Sequence, residues 1–170
     1  KMTIDFKKFC LSSLLILLAS CGWQLKDPQS MSPHLDQIHL VSEEPNGQLL
    51  SELTRALEAY DIEAVGGDSK PDYSVVITDY RRIRRTSSMN NDARVAEYQL
   101  NEEVDFMVVD RSNNIVLKPS TASVERVYEF LETDVLASSN EERMVKRDMR
   151  MEIVRQIMNR LSVLPSPNRK

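Results

Sequence analysis

Two kinds of residue in this 170-residue chain could do chemistry: a cluster of arginines and one thiol at the end of an apolar run. Arg81, Arg82, Arg84, Arg85 and Arg94 flank a single turn, with only Asp79 and Asp92 close by in sequence. Guanidinium forks bind phosphates bidentately, so this density could form an anion clamp. It equally suits a solvated strand end that resists aggregation, and the residues alone leave both readings open. Catalytic constellations are missing. The sequence holds no G-x-S-x-G, H-E-x-x-H or C-x-x-C motif, and Gly22, Gly47, Gly66 and Gly67 form no phosphate loop. Glu102 and Glu103 are adjacent in a strand pattern, so they point to opposite faces and cannot share a substrate. His34 and His39 have nothing nearby to complete a metal site. The expectation is a non-enzyme with no metal and no cofactor.

The thiol is Cys21, in "LLASCGWQL". Lys1, Lys7 and Lys8 precede an apolar and small-residue run over 9–18, and Ala19 and Ser20 stand just before the cysteine. That is the layout of a secretory signal. A membrane-spanning helix needs about 20 apolar residues, roughly twice this run. Leu18-Ala19-Ser20-Cys21 resembles the lipobox of bacterial lipoproteins. The resemblance implies an S-diacylglycerol and an N-acyl group on Cys21 after cleavage. Position 1 is Lys, and Met2 is the natural candidate for a translation start.

Cleavage before Cys21 would remove three Lys and one Asp, taking the formal net charge from −4 to −6. Such acidity argues against general nucleic-acid binding. Of the two cysteines, Cys10 would leave with the signal and Cys21 would carry lipid, so the mature chain could form no internal disulfide. Packing alone must hold it together. In a membrane-tethered periplasmic protein, the polyphosphorylated anion at hand for an arginine clamp is lipopolysaccharide.

The elements that would position these residues follow from periodicity. Leu35, Ile38, Leu40 and Val41 suggest a short strand. Leu49, Leu50, Leu53, Ala56, Leu57 and Tyr60 form a helical stripe with Asn46 as N-cap. From 73 to 86 the period becomes two, with Tyr73, Val75 and Ile77 on one face and Val76 and Tyr80 on the other. "RRIRR" then puts Arg81 and Arg85 on one face and Arg82 and Arg84 on the opposite one, so this end should project beyond the packed sheet. A second strand over 93–109 buries Ala96, Tyr98, Leu100, Val104, Phe106 and Val108, while Glu97, Gln99, Asn101, Glu103 and Asp105 face water. A third strand includes Ala122, Val124, Tyr128 and Phe130, with Pro119 marking an edge or a bulge. The last helix has capping-box spacing at Ser138 and Glu141 and at Ser139 and Glu142. Met144, Met151, Val154, Met158 and Leu161 form its expected core stripe, with Arg143, Lys146, Arg147, Arg150 and Arg155 on the other side.

The expected fold is α+β, a two-layer sandwich with a four-stranded mixed sheet packed on two helices in the order β-α-β-β-β-α. The expected organisation is a signal peptide over 1–20, an acylated N-terminus and tether over 21–34, one domain over 35–163 and a tail over 164–170.

"CGWQLKD" at 21–27, "PNG" at 45–47, "AEYQL" at 96–100 and the capped terminal helix occur in an order that resembles the LptE family. The resemblance implies an outer-membrane lipoprotein that plugs the LptD barrel, helps it assemble and takes part in delivering lipopolysaccharide to the outer leaflet. It also implies a four-stranded sheet beside two helices. Cys21 would be the acylated residue. Arg81, Arg82, Arg84, Arg85 and Arg94 would be the lipopolysaccharide-contact candidates, with Arg94 nearest the "AEYQ" motif. Some members carry a basic residue just ahead of the last helix; here Ser138-Ser139 stands in its place. Gly22 resembles the outer-membrane-sorted class, since retained lipoproteins often have Asp at that position. The rival reading is a periplasmic lipoprotein that binds another envelope protein or peptidoglycan.

Overall fold

In chain order the elements are β1 (Gln37–Val41), α1 (Gln48–Glu58), β2 (Glu63–Val65), β3 (Tyr73–Met89), β4 (Val95–Asp110) and β5 (Ile115–Glu129). A single 3-10 turn at Glu132–Asp134 then leads into α2 (Val135–Leu161). The computed structural model describes residues 35–43, 47–66, 69 and 71–166; Cys21, His34 and Asn46 lie outside them. The described sheet runs β2-β1-β3-β4-β5. It pairs β1 in parallel with both β2 and β3, and β3, β4 and β5 as antiparallel hairpins. The α+β class therefore holds, with five strands instead of the expected four. The extra strand is Glu63-Ala64-Val65, too short for any period to show in sequence.

One continuous core joins the sheet to both helices. Ile38, Val75, Ile77, Val104, Phe106 and Val108 from the strands meet Leu53, Leu57, Met149, Ile153, Ile157 and Leu161 from the helices, all nearly or fully buried. The α1 stripe follows the sequence pattern, with Leu49, Leu50, Leu53 and Leu57 buried. Its N-cap is Gly47, with no side-chain cap.

Helix α2 departs from expectation twice. It starts at Val135, four residues after Leu131, and Asp134 caps it by accepting from the Ala137 amide at 2.9 Å. Ser138 is not a cap; it sits buried in the first turn, where its hydroxyl accepts from the Leu131 amide at 2.9 Å. The core stripe is also shifted in its N-terminal half: Val154, Met158 and Leu161 are buried as expected and are joined by Met149, Ile153 and Ile157, whereas Met144 and Met151 are 59% and 50% exposed. The sheet, which no helical wheel can see, decides which face is inside. Beyond α2 the chain stays on the core: Leu164 is buried and the Pro165 carbonyl accepts from the Tyr73 hydroxyl at 2.8 Å.

The two hairpin turns share one construction. Asn90 and Asp110 each begin a turn by accepting two backbone amides on the side-chain oxygen, from Asp92 and Arg94 and from Ser112 and Asn114. The fourth residue of each lies in the left-handed region, Ala93 at φ 58° and Asn113 at φ 63°. Asparagine tolerates that conformation; alanine does so at a steric cost. Edge strand β5 carries Pro119, and the register slips there, between Ser120 opposite Phe106 and Leu117 opposite Val108. Both expectations for Pro119 are met.

Candidate functional site on the arginine hairpin

A register irregularity between Ile77 and Asp79 decides where the arginines point. Side chains directly opposite in an antiparallel pair share a face. Val75 opposite Val108 and Ile77 opposite Phe106 lie on the helix-facing side; past the irregularity, Tyr80 joins them opposite Val104. Tyr80 is thus on the face of Ile77, not on the face opposite, because one extra residue inverts the alternation. Arg82 opposite Glu102 and Arg84 opposite Leu100 consequently face the helices, while Arg81 and Arg85 occupy the open face. β3 is exposed from Arg82 through Ser87, so the basic end does lie outside the packed core.

The helix-facing side gathers cations and aromatic rings. The Arg84 guanidinium stacks 3.7 Å above the Tyr98 ring and donates to Glu142 of α2 at 3.0 Å. Tyr98 stacks on Tyr128 at 5.8 Å and meets Phe130 edge-on at 5.2 Å, and the Tyr128 hydroxyl donates to Glu142 at 2.6 Å. The Arg82 guanidinium lies 4.7 Å from the Tyr80 ring centre. The Tyr80 hydroxyl donates to the buried Glu102 carboxylate at 3.1 Å. Helix α2 adds Lys146, 2.5 Å from Glu142, and Arg150, 3.3 Å from Glu52. A cavity of about 230 Å³ opens between Tyr80, Arg82, Arg150 and the first turn of α1. Helix N-termini with free amides favour anions.

Burial pushes the Glu102 carboxyl above its ordinary value, and Tyr80, Arg150, Arg82 and Lys146 pull it back down. Burial likewise pushes the Tyr80 hydroxyl up, with the Glu102 charge next in effect.

The open face is different. Arg81 donates to Asp105 at 2.7 Å and to Glu103 at 2.9 Å, and also pairs with Asp79. The hydrogen bond from Arg81, followed by that from Thr121, holds the Asp105 carboxyl below its ordinary value. Three carboxylates thus neutralise one guanidinium. Arg94 sits at the hairpin tip and pairs with Glu132 at 2.8 Å, in a cleft also lined by Asp92, Glu97 and Glu129. The five arginines therefore divide into a helix-facing pair, an open-face pair and one at the tip.

Lys146 and Arg150 were expected on the solvent side of α2. The Arg150 side chain is only 14% exposed and turns toward α1 and the sheet. Their one-turn spacing from each other, shared with the buried sequence Met149 and Ile153, was the available signal.

The LptE family model, described as lipopolysaccharide-assembly, matches residues 35–161. The LPS-assembly lipoprotein LptE of Pectobacterium atrosepticum is 24% identical over 148 residues, covering 86% of this chain and 79% of that protein. Its counterpart from Photorhabdus laumondii is 21% identical over 147 residues, covering 86% and 80%. Among solved structures, lipoprotein B from Nitrosomonas europaea superposes with a TM-score of 0.70 at 25% identity, covering 83% of this chain and 90% of that one. The rare lipoprotein B from Shewanella oneidensis shares the fold at a TM-score of 0.65 and 21% identity, covering 75% and 94%. A non-enzymatic family agrees with a sequence that lacks every catalytic constellation sought in it. With that model spanning hairpin, core and both helices, the chain belongs to the LptE family, and its role lies in lipopolysaccharide assembly.

Proposed function

We propose that this protein is anchored on the periplasmic side of the outer membrane through lipid on Cys21. There it plugs and assists assembly of the LptD barrel and engages lipopolysaccharide through the helix-facing side of its arginine hairpin. The observation that carries the reading is the balance of charge on each face: Arg82, Arg84, Lys146 and Arg150 gather on the helix-facing side around Glu52, Glu102 and Glu142, whereas on the other face three carboxylates converge on Arg81 alone. Arg85 and Arg94 remain outer contacts of the same hairpin. Two or more acyl chains on Cys21 give stable membrane attachment, where one gives a marginal ~10⁴ M⁻¹.

The test compares lipopolysaccharide binding by the mature protein with two double variants, Arg82→Gln/Arg84→Gln and Arg81→Gln/Arg85→Gln. Charge-assisted hydrogen bonds contribute ~1.5–3 kcal/mol each, so the first pair should lose roughly tenfold or more in affinity. The second pair should lose little. Lysine at 82 and 84 should restore only part, since it keeps the charge without the fork. Unchanged binding by the folded helix-facing variant returns the hairpin to a solvated strand end. Capture of the lipoprotein from solubilised outer membranes should bring down a stoichiometric barrel, and its absence would favour another envelope partner. The intact mass of the captured chain, starting at an acylated Cys21, checks the anchor.

A further inference from the structure

Between α1 and α2 runs a groove of about 450 Å³, floored by Ala56, Tyr60, Met151 and Met158 and rimmed by Arg55 and Arg147. Its volume falls in the range of small-molecule sites, and its lining is mostly apolar, as such sites are. Met151 lies two residues from Met149 and two from Ile153, both fully buried, so it points away from the core. An unbranched thioether on a groove floor adapts to chains of varied shape. The rim is cationic. Among the described residues Arg55 donates only to the Ser51 hydroxyl, at 3.3 Å, and Arg147 makes no ion pair, while Arg155, also in the lining, is paired with Glu152. Glu52, the one carboxylate in the lining, is itself paired with Arg150.

An apolar floor under two guanidiniums without a carboxylate partner, Arg55 and Arg147, suits one kind of molecule, an alkyl chain ending in a phosphate. We infer that the groove takes one acyl chain of an anionic glycerophospholipid, with its phosphate on Arg55 and Arg147. The volume admits a single chain, which favours a phospholipid over a lipid with many chains. This site is separate from the hairpin and does not rest on it.

The experiment uses the mature acylated protein in phosphatidylcholine nanodiscs. The probes are decyl phosphate and decyl phosphocholine, each carrying a terminal diazirine, with labelled peptides identified by mass spectrometry. The phosphate probe should label peptides holding Met151 or Tyr60. Arg147→Gln should cut that labelling about tenfold, the loss of one charge-assisted contact, while phosphocholine labelling, weaker at the outset because the choline offsets its phosphate, should fall less. Met151→Glu, at a half-exposed position, should abolish labelling by the phosphate probe with an unchanged melting temperature. Arg82→Gln/Arg84→Gln should leave groove labelling intact, which separates this site from the hairpin. Unlabelled groove peptides, or equal labelling in Arg147→Gln, would overturn the inference. So would displacement of the probe by lipopolysaccharide but not by phosphatidylglycerol.

Discussion

Phe106→Ala tests whether packing alone carries this fold. Phe106 is 1% exposed at the centre of β4, opposite Ile77 on one side and Ser120 on the other. It is among the largest fully buried side chains, in a core that joins the sheet to both helices. Truncation loses the transfer free energy of the ring and leaves a cavity that flanking β-branched residues cannot fill. Together these cost about 3–5 kcal/mol. Against a typical total of ~5–15 kcal/mol, that is a large fraction. At ~2–4 °C per kcal/mol for a chain of this size, the melting temperature should fall by roughly 6–20 °C. Thermal and urea melts of the purified lipoprotein measure it, with Leu136→Ala as control. Leu136 is 74% exposed, so its truncation should stay within about 0.5 kcal/mol. A Phe106→Ala shift no larger than the control's would refute the central place given to this layer. In cells, barrel yield should fall with stability. Normal barrel assembly around a largely unfolded protein would refute the plug reading.

Two further outcomes follow from particular contacts. Because burial raises the Glu102 carboxyl above its ordinary 4.5, the folded chain holds that proton more tightly than the unfolded one. Its contribution is therefore most favourable at low pH and declines as pH rises through 4.5 toward the folded value. Melts of wild type and Glu102→Gln across that range should show the variant gaining on wild type with rising pH, and a constant difference or the opposite sign defeats the claim. Ala93→Gly should stabilise the β3–β4 turn, since a left-handed alanine costs ~1–2 kcal/mol and glycine returns ~0.5–1 kcal/mol in chain entropy. A net gain of up to ~1 kcal/mol in urea melts is expected, and a loss would mean the turn is unstrained.

Local chemistry determined much of this protein before any coordinate. The alternation in β4, from Tyr98 through Val108, is long enough that period two admits one reading, and the stripe from Leu49 to Leu57 likewise admits only a helix. Pro119 announced an edge or a bulge, because without an N–H it cannot donate to a ladder. The density of arginine around one turn, the motifs that resemble a family and the missing catalytic sets were all one-dimensional facts. They needed residue types and order, nothing more.

Tertiary structure decided whatever depends on a second element. The irregularity between Ile77 and Asp79 is invisible in β3 alone, since it exists only as a mismatch with β4; yet it sends Arg82 and Arg84 toward the helices. Helix α2 has cations and methionines all round, so its own sequence leaves its orientation undetermined. Docking onto β4 and β5 buries Met149, exposes Met151 and brings Arg150 inward beside Glu52. Pairing of charge is likewise non-local: Arg81 meets Glu103 and Asp105 from the next strand, and Arg84 meets Glu142 from 58 residues away. A residue's type sets the charge it carries, but packing sets which charges remain for a partner, because screening and pairing act through distance in space and not along the chain.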